Sequence, residues 1–161
     1  MQFCLAVACL ALFACGDGES NVTTGNRDGI LHFGNGSEPQ GLDPHVVTGI
    51  PESHIVSALF EGLTVKNPYT LEPEPGVAQS WDISEDGLTI TFHLNPDARW
   101  SNGDAMTAED YVWSWRRALD PAMGNQYAYM LYPLENAEAF ATGKLDDFSK
   151  VGVKALDAHT L

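Results

Sequence analysis

The chain has 161 residues, 44% of them hydrophobic, enough apolar material for one globular unit. Its 22 acidic residues outnumber 8 basic ones and give a formal net charge of −14. A surface of that sign repels phosphate backbones and anionic headgroups, which argues against nucleic acid as a partner.

The chain opens on an apolar run, residues 3–14, that ends in Leu12-Phe13-Ala14-Cys15. About a dozen apolar residues are too few to span a bilayer but have the length of a signal-peptide core. Ala14 just before Cys15, with Leu12 three positions upstream of the cysteine, resembles a bacterial lipobox. That resemblance implies a lipoprotein signal peptide over residues 1–14, lipid on Cys15, and a protein held at a membrane surface after export. No Lys or Arg precedes Cys15, so the usual basic start lies upstream of Met1 or the start is unusual. The competing reading is a buried apolar helix or strand with an incidental cysteine. The Gly/Thr/Asn-rich stretch that follows favours export, and residues 15–28 read as a flexible tether. Cys4 and Cys9 fall within the signal segment, leaving no thiol beyond Cys15 and hence no disulfide.

In chain order, residues 30–33 read as a short strand that ends at the Gly34-Asn35-Gly36-Ser37 turn. Pro39 and Pro44 keep residues 38–44 in extended loop. Pro51 can open a helix whose apolar residues Ile55, Val56, Leu59 and Phe60 recur at helical spacing, with Gly62 as its stop. Strict alternation of Leu88, Ile90, Phe92 and Leu94 predicts a half-buried strand, paired through the Ser84-Glu85-Asp86-Gly87 turn with residues 81–83. Thr107 followed by Glu109 and Asp110 opens the clearest helix, closed by Arg116, Arg117 and Asp120-Pro121. A short helix over 134–142 and a strand over 151–156 follow. The sequence stops at Thr160-Leu161, where the return strand of that last hairpin is expected, so it reads as truncated.

Enzyme signatures are thin. The five histidines have no metal-ligand spacing, and there is no nucleophile elbow, phosphate loop or H-E-x-x-H. No metal or cofactor is therefore expected, and the chain does not read as an enzyme. Residues 82–87 match the opening of a calcium loop, but the twelfth position is His93 rather than a bidentate Glu, and a hairpin turn explains them better. Trp113 and Trp115 cannot share one helix face, so one belongs to the core and the other nearer the surface. Tyr127, Tyr129 and Tyr132 sit where periodicity is poor; they pack in the core or line a ligand groove.

Several blocks together resemble the N-terminal part of bacterial solute-binding proteins of oligopeptide ABC importers, family 5. They include Gly41-Leu42-Asp43-Pro44-His45, Leu59-Phe60-Glu61-Gly62-Leu63, Pro75-Gly76-Val77-Ala78, Trp100-Ser101-Asn102-Gly103-Asp104 and Gly152-Val153-Lys154-Ala155-Leu156-Asp157. The resemblance covers residues 30–161. It implies an α/β fold of the type II periplasmic-binding-protein kind, in part. Residues 29–52 would begin the first ligand-binding lobe and 53–161 would form most of a small accessory domain. It further implies peptide capture through backbone hydrogen bonds and delivery to ABC permease subunits. The place would be the periplasm or the outer face of the cytoplasmic membrane, with a lipid anchor at Cys15 and a monomeric protein. By the same resemblance the ligand-contacting positions are Thr48, Gly49, Ile50 and Tyr127. The pattern has an acid where Thr48 stands and a basic residue where Asn95 stands. Other expectations stay open: a different solute (a dipeptide, a cell-wall peptide or a metal chelate), a non-transport surface lipoprotein, or part of a secreted hydrolase. With only one wall of a groove present, the 161-residue chain by itself is expected not to bind peptide tightly.

Overall fold

Ser20 sets the first element of the computed structural model, which describes residues 19–161. Its hydroxyl accepts from the Thr23 amide at 3.2 Å and caps helix α1, Asn21–Asp28. Gly29, at φ 69°, closes the other end. Eight of the fourteen residues read as a tether are therefore helix. Its composition is a poor helix former, but a serine cap, a left-handed glycine and an Arg27–Glu19 ion pair at 2.7 Å offset that locally. The expected strand over 30–33 is not found, because the Ile30 amide turns back onto the Gly25 carbonyl at 2.8 Å and finishes the helix. Residues 1–14, Cys15 and the start of the tether lie outside the described residues.

The chain divides into two compact units, Met1–Gly36 and Ser37–Leu161. The second carries the rest of the architecture, which is mixed α/β. Helix α2, Ile50–Leu59, has Pro51 in its first turn, opening one residue before the expected start, and is closed by Phe60, short of the expected stop at Gly62. It runs continuously across residues 52 and 53. Strands β1 (Thr64–Lys66) and β2 (Pro73–Pro75) form an antiparallel pair that periodicity gives no hint of. Two prolines argue against a strand, yet an edge strand tolerates them, and Asn67 builds the turn by accepting from the amides of Tyr69 and Thr70.

Strands β3 (Ala78–Ile83) and β4 (Ile90–Leu94) form the expected hairpin, with Trp81 opposite Phe92 and Ile83 opposite Ile90. Ser84, Asp86 and Gly87 at φ 70° make its turn. Leu88, expected on the buried face, instead lies outside β4 at 84% exposure beside the turn, and burial along the strand deepens from Ile90 at 48% exposed to Leu94 at 4%. Helix α3, Ala108–Leu119, is closed at its start by the Asp110 carboxylate, which accepts from the Thr107 amide at 2.7 Å. Trp115 packs into the core and Trp113 faces outward. After 3₁₀ turns at Pro121–Met123 and Ala128–Leu131, helix α4 spans Ala137–Ala141.

Residues 151–156 are not a strand. Val151, Val153 and Ala155 each reach the core, while the Gly152 amide is used by the Glu135 carbonyl. The edge of β4 is instead taken by the last residues: Phe92 and Leu161 exchange both backbone hydrogen bonds, at 2.9 and 3.1 Å. The core has two clusters. One is built on Ala78, Leu94, Ala108 and Leu161, the other on Leu119, Ala137, Phe140 and Val151, and Val153 packs against both.

Candidate functional site

The loop between Ser37 and α2 is built by its own carboxylates. Asp43 folds the chain after it: its Oδ1 accepts from the His45 amide at 3.0 Å, and its carbonyl from the amides of Val46 and Val47. The same carboxylate receives a forked pair from Arg117 on α3, 2.8 Å from Nη1 to Oδ1 and 2.5 Å from Nη2 to Oδ2. Arg117 Nη1 also donates to His45 Nδ1, which fixes the proton on Nε2 and lets that nitrogen donate to Ser114 Oγ at 2.9 Å. Ser114 and Arg117 lie three residues apart and so share one helical face. The ring of His45 leans on Trp113, with centroids 6.5 Å apart.

The electrostatics follow from this packing. Arg117 holds the Asp43 carboxyl far below the usual carboxylate range, helped by the His45 amide. Burial lowers the His45 pKa, and the neighbouring guanidinium lowers it further. Both ring nitrogens of His45 are engaged: Nδ1 accepts from the Arg117 guanidinium and Nε2 donates to the Ser114 hydroxyl, so in this tautomer the ring takes no proton from Ser114 and the cluster fastens α3 to the loop. Among the described residues no three His, Cys, Asp or Glu side chains gather as a metal site would require.

The other end of the loop is tied by Glu52, in the first turn of α2. Its Oε1 accepts from the Gln40 amide at 2.7 Å, and with its own backbone amide this holds the carboxyl below its ordinary pKa. Between the two ties the chain bounds a cavity of about 370 Å³ whose walls include Gln40, Val47, Thr48, Gly49 and Glu52.

Of the four ligand-contacting positions expected from the sequence, Thr48 and Gly49 line this cavity. Ile50 opens α2 beside it, 72% exposed. Tyr127 lies apart from the cavity, in the segment after α3. Asn125 sets it there, donating to the Ala118 carbonyl and accepting from the Tyr127 amide at 2.9 Å. Its ring pairs with Tyr129 at 6.1 Å, and both are exposed. Arg117, Ser114 and Glu52 are site residues that the sequence reading passed over. Arg117 has a sufficient local explanation as a helix-ending cation, and its partners are 72 and 74 residues away. The Asp43-Pro44 turn was the one local sign that the loop is built rather than loose.

Comparison with known proteins gives a consistent picture. The family model for bacterial extracellular solute-binding proteins, family 5 Middle, matches residues 72–161. The periplasmic oligopeptide-binding protein OppA of Escherichia coli K12 is 44% identical over 147 residues, covering 90% of this chain and 26% of that protein. Bacillus subtilis OppA is 40% identical over 159 residues, covering 94% and 28%. The chain thus spans about a quarter of the length of these relatives. Among solved structures, Haemophilus influenzae OppA in complex with the peptide RPPGFSPFR superposes with a TM-score of 0.72 at 44% identity, over 78% of this chain and 25% of that one. The murein tripeptide binding protein MppA of E. coli does so with a TM-score of 0.71 at 40% identity, over 76% and 24%.

Proposed function

Because this chain belongs to the bacterial extracellular solute-binding proteins of family 5, with the α/β fold of type II periplasmic binding proteins, we propose that it is part of a peptide-capturing protein of an ABC importer. In this reading it binds short peptides outside the cytoplasm and hands them to permease subunits, and its role is binding rather than catalysis. It works as a monomer, held at the membrane by lipid on Cys15 after removal of residues 1–14. Thr48, Gly49 and Ile50 form part of one wall of the groove, and Tyr127 adds an aromatic contact.

The observation that carries the reading is the loop of residues 43–52, which exposes Thr48 and Ile50 and is tied at one end by Asp43–Arg117 and at the other by Glu52–Gln40. Such a pre-ordered backbone suits hydrogen bonding along an extended peptide, since its ordering cost is met before the ligand arrives. Calorimetric titration of trialanine and of longer peptides into the protein expressed from its full reading frame tests it. Saturable binding weakened by Ile50→Ala and Tyr127→Ala is the expected result. Absence of binding by any peptide, with a folded protein, would refute it. A murein peptide belongs in the same series, because the E. coli relative MppA is a murein tripeptide binder.

A further inference from the structure

Glu52 is the one charged side chain buried among the described residues, at 5% exposure. A carboxylate in the first turn of a helix is favoured by the dipole, and an acid at the third helical position often reaches back to the cap residue. Glu52 reaches further. Its Oε1 takes the amide of Gln40, twelve residues upstream, while the other oxygen, Oε2, lies against Gly49. A Cβ added at residue 49 would overlap Oε2 and stand 3.0 Å from Cδ. Gly49 has φ −87° and ψ 154°, an extended conformation open to any residue. Backbone freedom therefore does not call for a glycine here; the Glu52 carboxylate occupies the space, and its burial and the hydrogen bond of Oε1 to Gln40 limit how far that side-chain end can give way.

We propose that Glu52 is the positioning residue of the ligand-contacting loop, fixing residues 40 and 49 against each other, and that it is Glu52 that restricts position 49 to glycine. The inference rests on the reading of Thr48 and Ile50 as peptide contacts. One carboxylate sets both the spacing across the loop, through a charge-assisted hydrogen bond, and the packing at its tip, through direct contact with the Gly49 backbone. With its carboxylate engaged by the Gln40 amide and packed on Gly49, Glu52 acts through the backbone that presents Thr48.

The test is a double-mutant cycle on Gly49→Ala and Glu52→Ala, with Glu52→Gln as the conservative variant. Amide hydrogen exchange on the 161-residue chain reads the loop, and the β3–β4 amides report whether each variant remains folded. Glu52→Ala should speed exchange of the Gln40 amide about tenfold or more while leaving β3–β4 unchanged. Glu52→Gln, which keeps an acceptor oxygen, should recover part of that protection. Gly49→Ala should loosen the loop in the parent protein and change little once Glu52 is alanine. Equal effects of Gly49→Ala in both backgrounds, or unchanged Gln40 exchange in both Glu52 variants, would overturn the proposal. In the protein from the full reading frame, trialanine affinity should fall about tenfold in Glu52→Ala and less in Glu52→Gln. Loosened exchange with unaltered affinity would also overturn it, since the loop would then be ordered by Glu52 without positioning a contact. If the parent protein binds no peptide, the functional reading fails, and the exchange cycle alone decides what Glu52 does to the loop.

Discussion

Replacing Leu119 by alanine tests whether the two clusters form one cooperative core that supports the site. Leu119 is 1% exposed at the end of α3, between Arg117 and the turn that sets Tyr127. Three buried carbons are removed, worth about 2.4 kcal/mol at roughly 0.8 kcal/mol each. The space left behind is bounded by Ala137, Phe140 and Val151, and the edge-on contact of Phe140 with Phe148 at 5.1 Å limits collapse into it. With that cavity the loss should reach about 3–4 kcal/mol. The assay is urea denaturation of the full chain, followed by both tryptophan fluorescence and circular dichroism. The midpoint should fall with little change in slope, and the two signals should coincide. Coincidence matters because Trp115 belongs to the other cluster, coupled to Leu119 through Val153. Leu119→Met, which conserves volume, should cost less than about 1.5 kcal/mol. A loss below about 1 kcal/mol in Leu119→Ala, or a tryptophan transition that stays in place while the helical signal moves, would refute the reasoning.

The remaining predictions concern the loop, the groove and the anchor. Asp43 and His45 both bind a proton less readily folded than unfolded, so the unfolded chain takes up protons first as pH falls. The His45 contribution should be complete above about pH 6.5 and decline below it, and the Asp43 contribution should be lost only below about pH 4. Thermal unfolding across that range should show His45→Gln flattening the first decline and Asp43→Asn the second; unchanged profiles would rule out the cluster as a fastening. Tyr127→Ala should weaken peptide binding about tenfold, and Tyr127→Phe much less, as titration calorimetry would read. Cys15→Ser should abolish labelling by a clickable fatty acid and move the exported protein from the membrane fraction to the soluble one; unaltered labelling would count against the lipid at that residue.

Several elements were legible because their cause is local. Alternation at Ile90, Phe92 and Leu94 with a Ser84–Gly87 turn is enough to specify β3–β4, though Leu88 falls outside the strand, and Thr107 with its following acids marks the start of α3. The opposite fates of Trp113 and Trp115 follow from helical geometry alone. Three features escaped. Helix α1 hides in a composition that reads as tether, the β1–β2 pair hides behind two prolines, and residues 151–156 have strand-like composition without an edge to pair with. At the site, Thr48, Gly49, Ile50 and Tyr127 were reached through a family resemblance, because no periodicity or spacing marks them.

By itself, then, the sequence determined the elements with short-range causes, the family, and the acidic surface, since caps, turns and alternation act over a few residues and charge sums without regard to fold. Tertiary structure alone decided what holds the loop. Arg117 meets Asp43 across 74 residues, His45 meets Ser114 across 69, and Glu52 reaches back to Gln40. Hydrogen bonds and close contacts act over a few ångströms of space, whatever the separation along the chain, so the partner of each of these groups is set only once α3 and α2 have packed beside the loop.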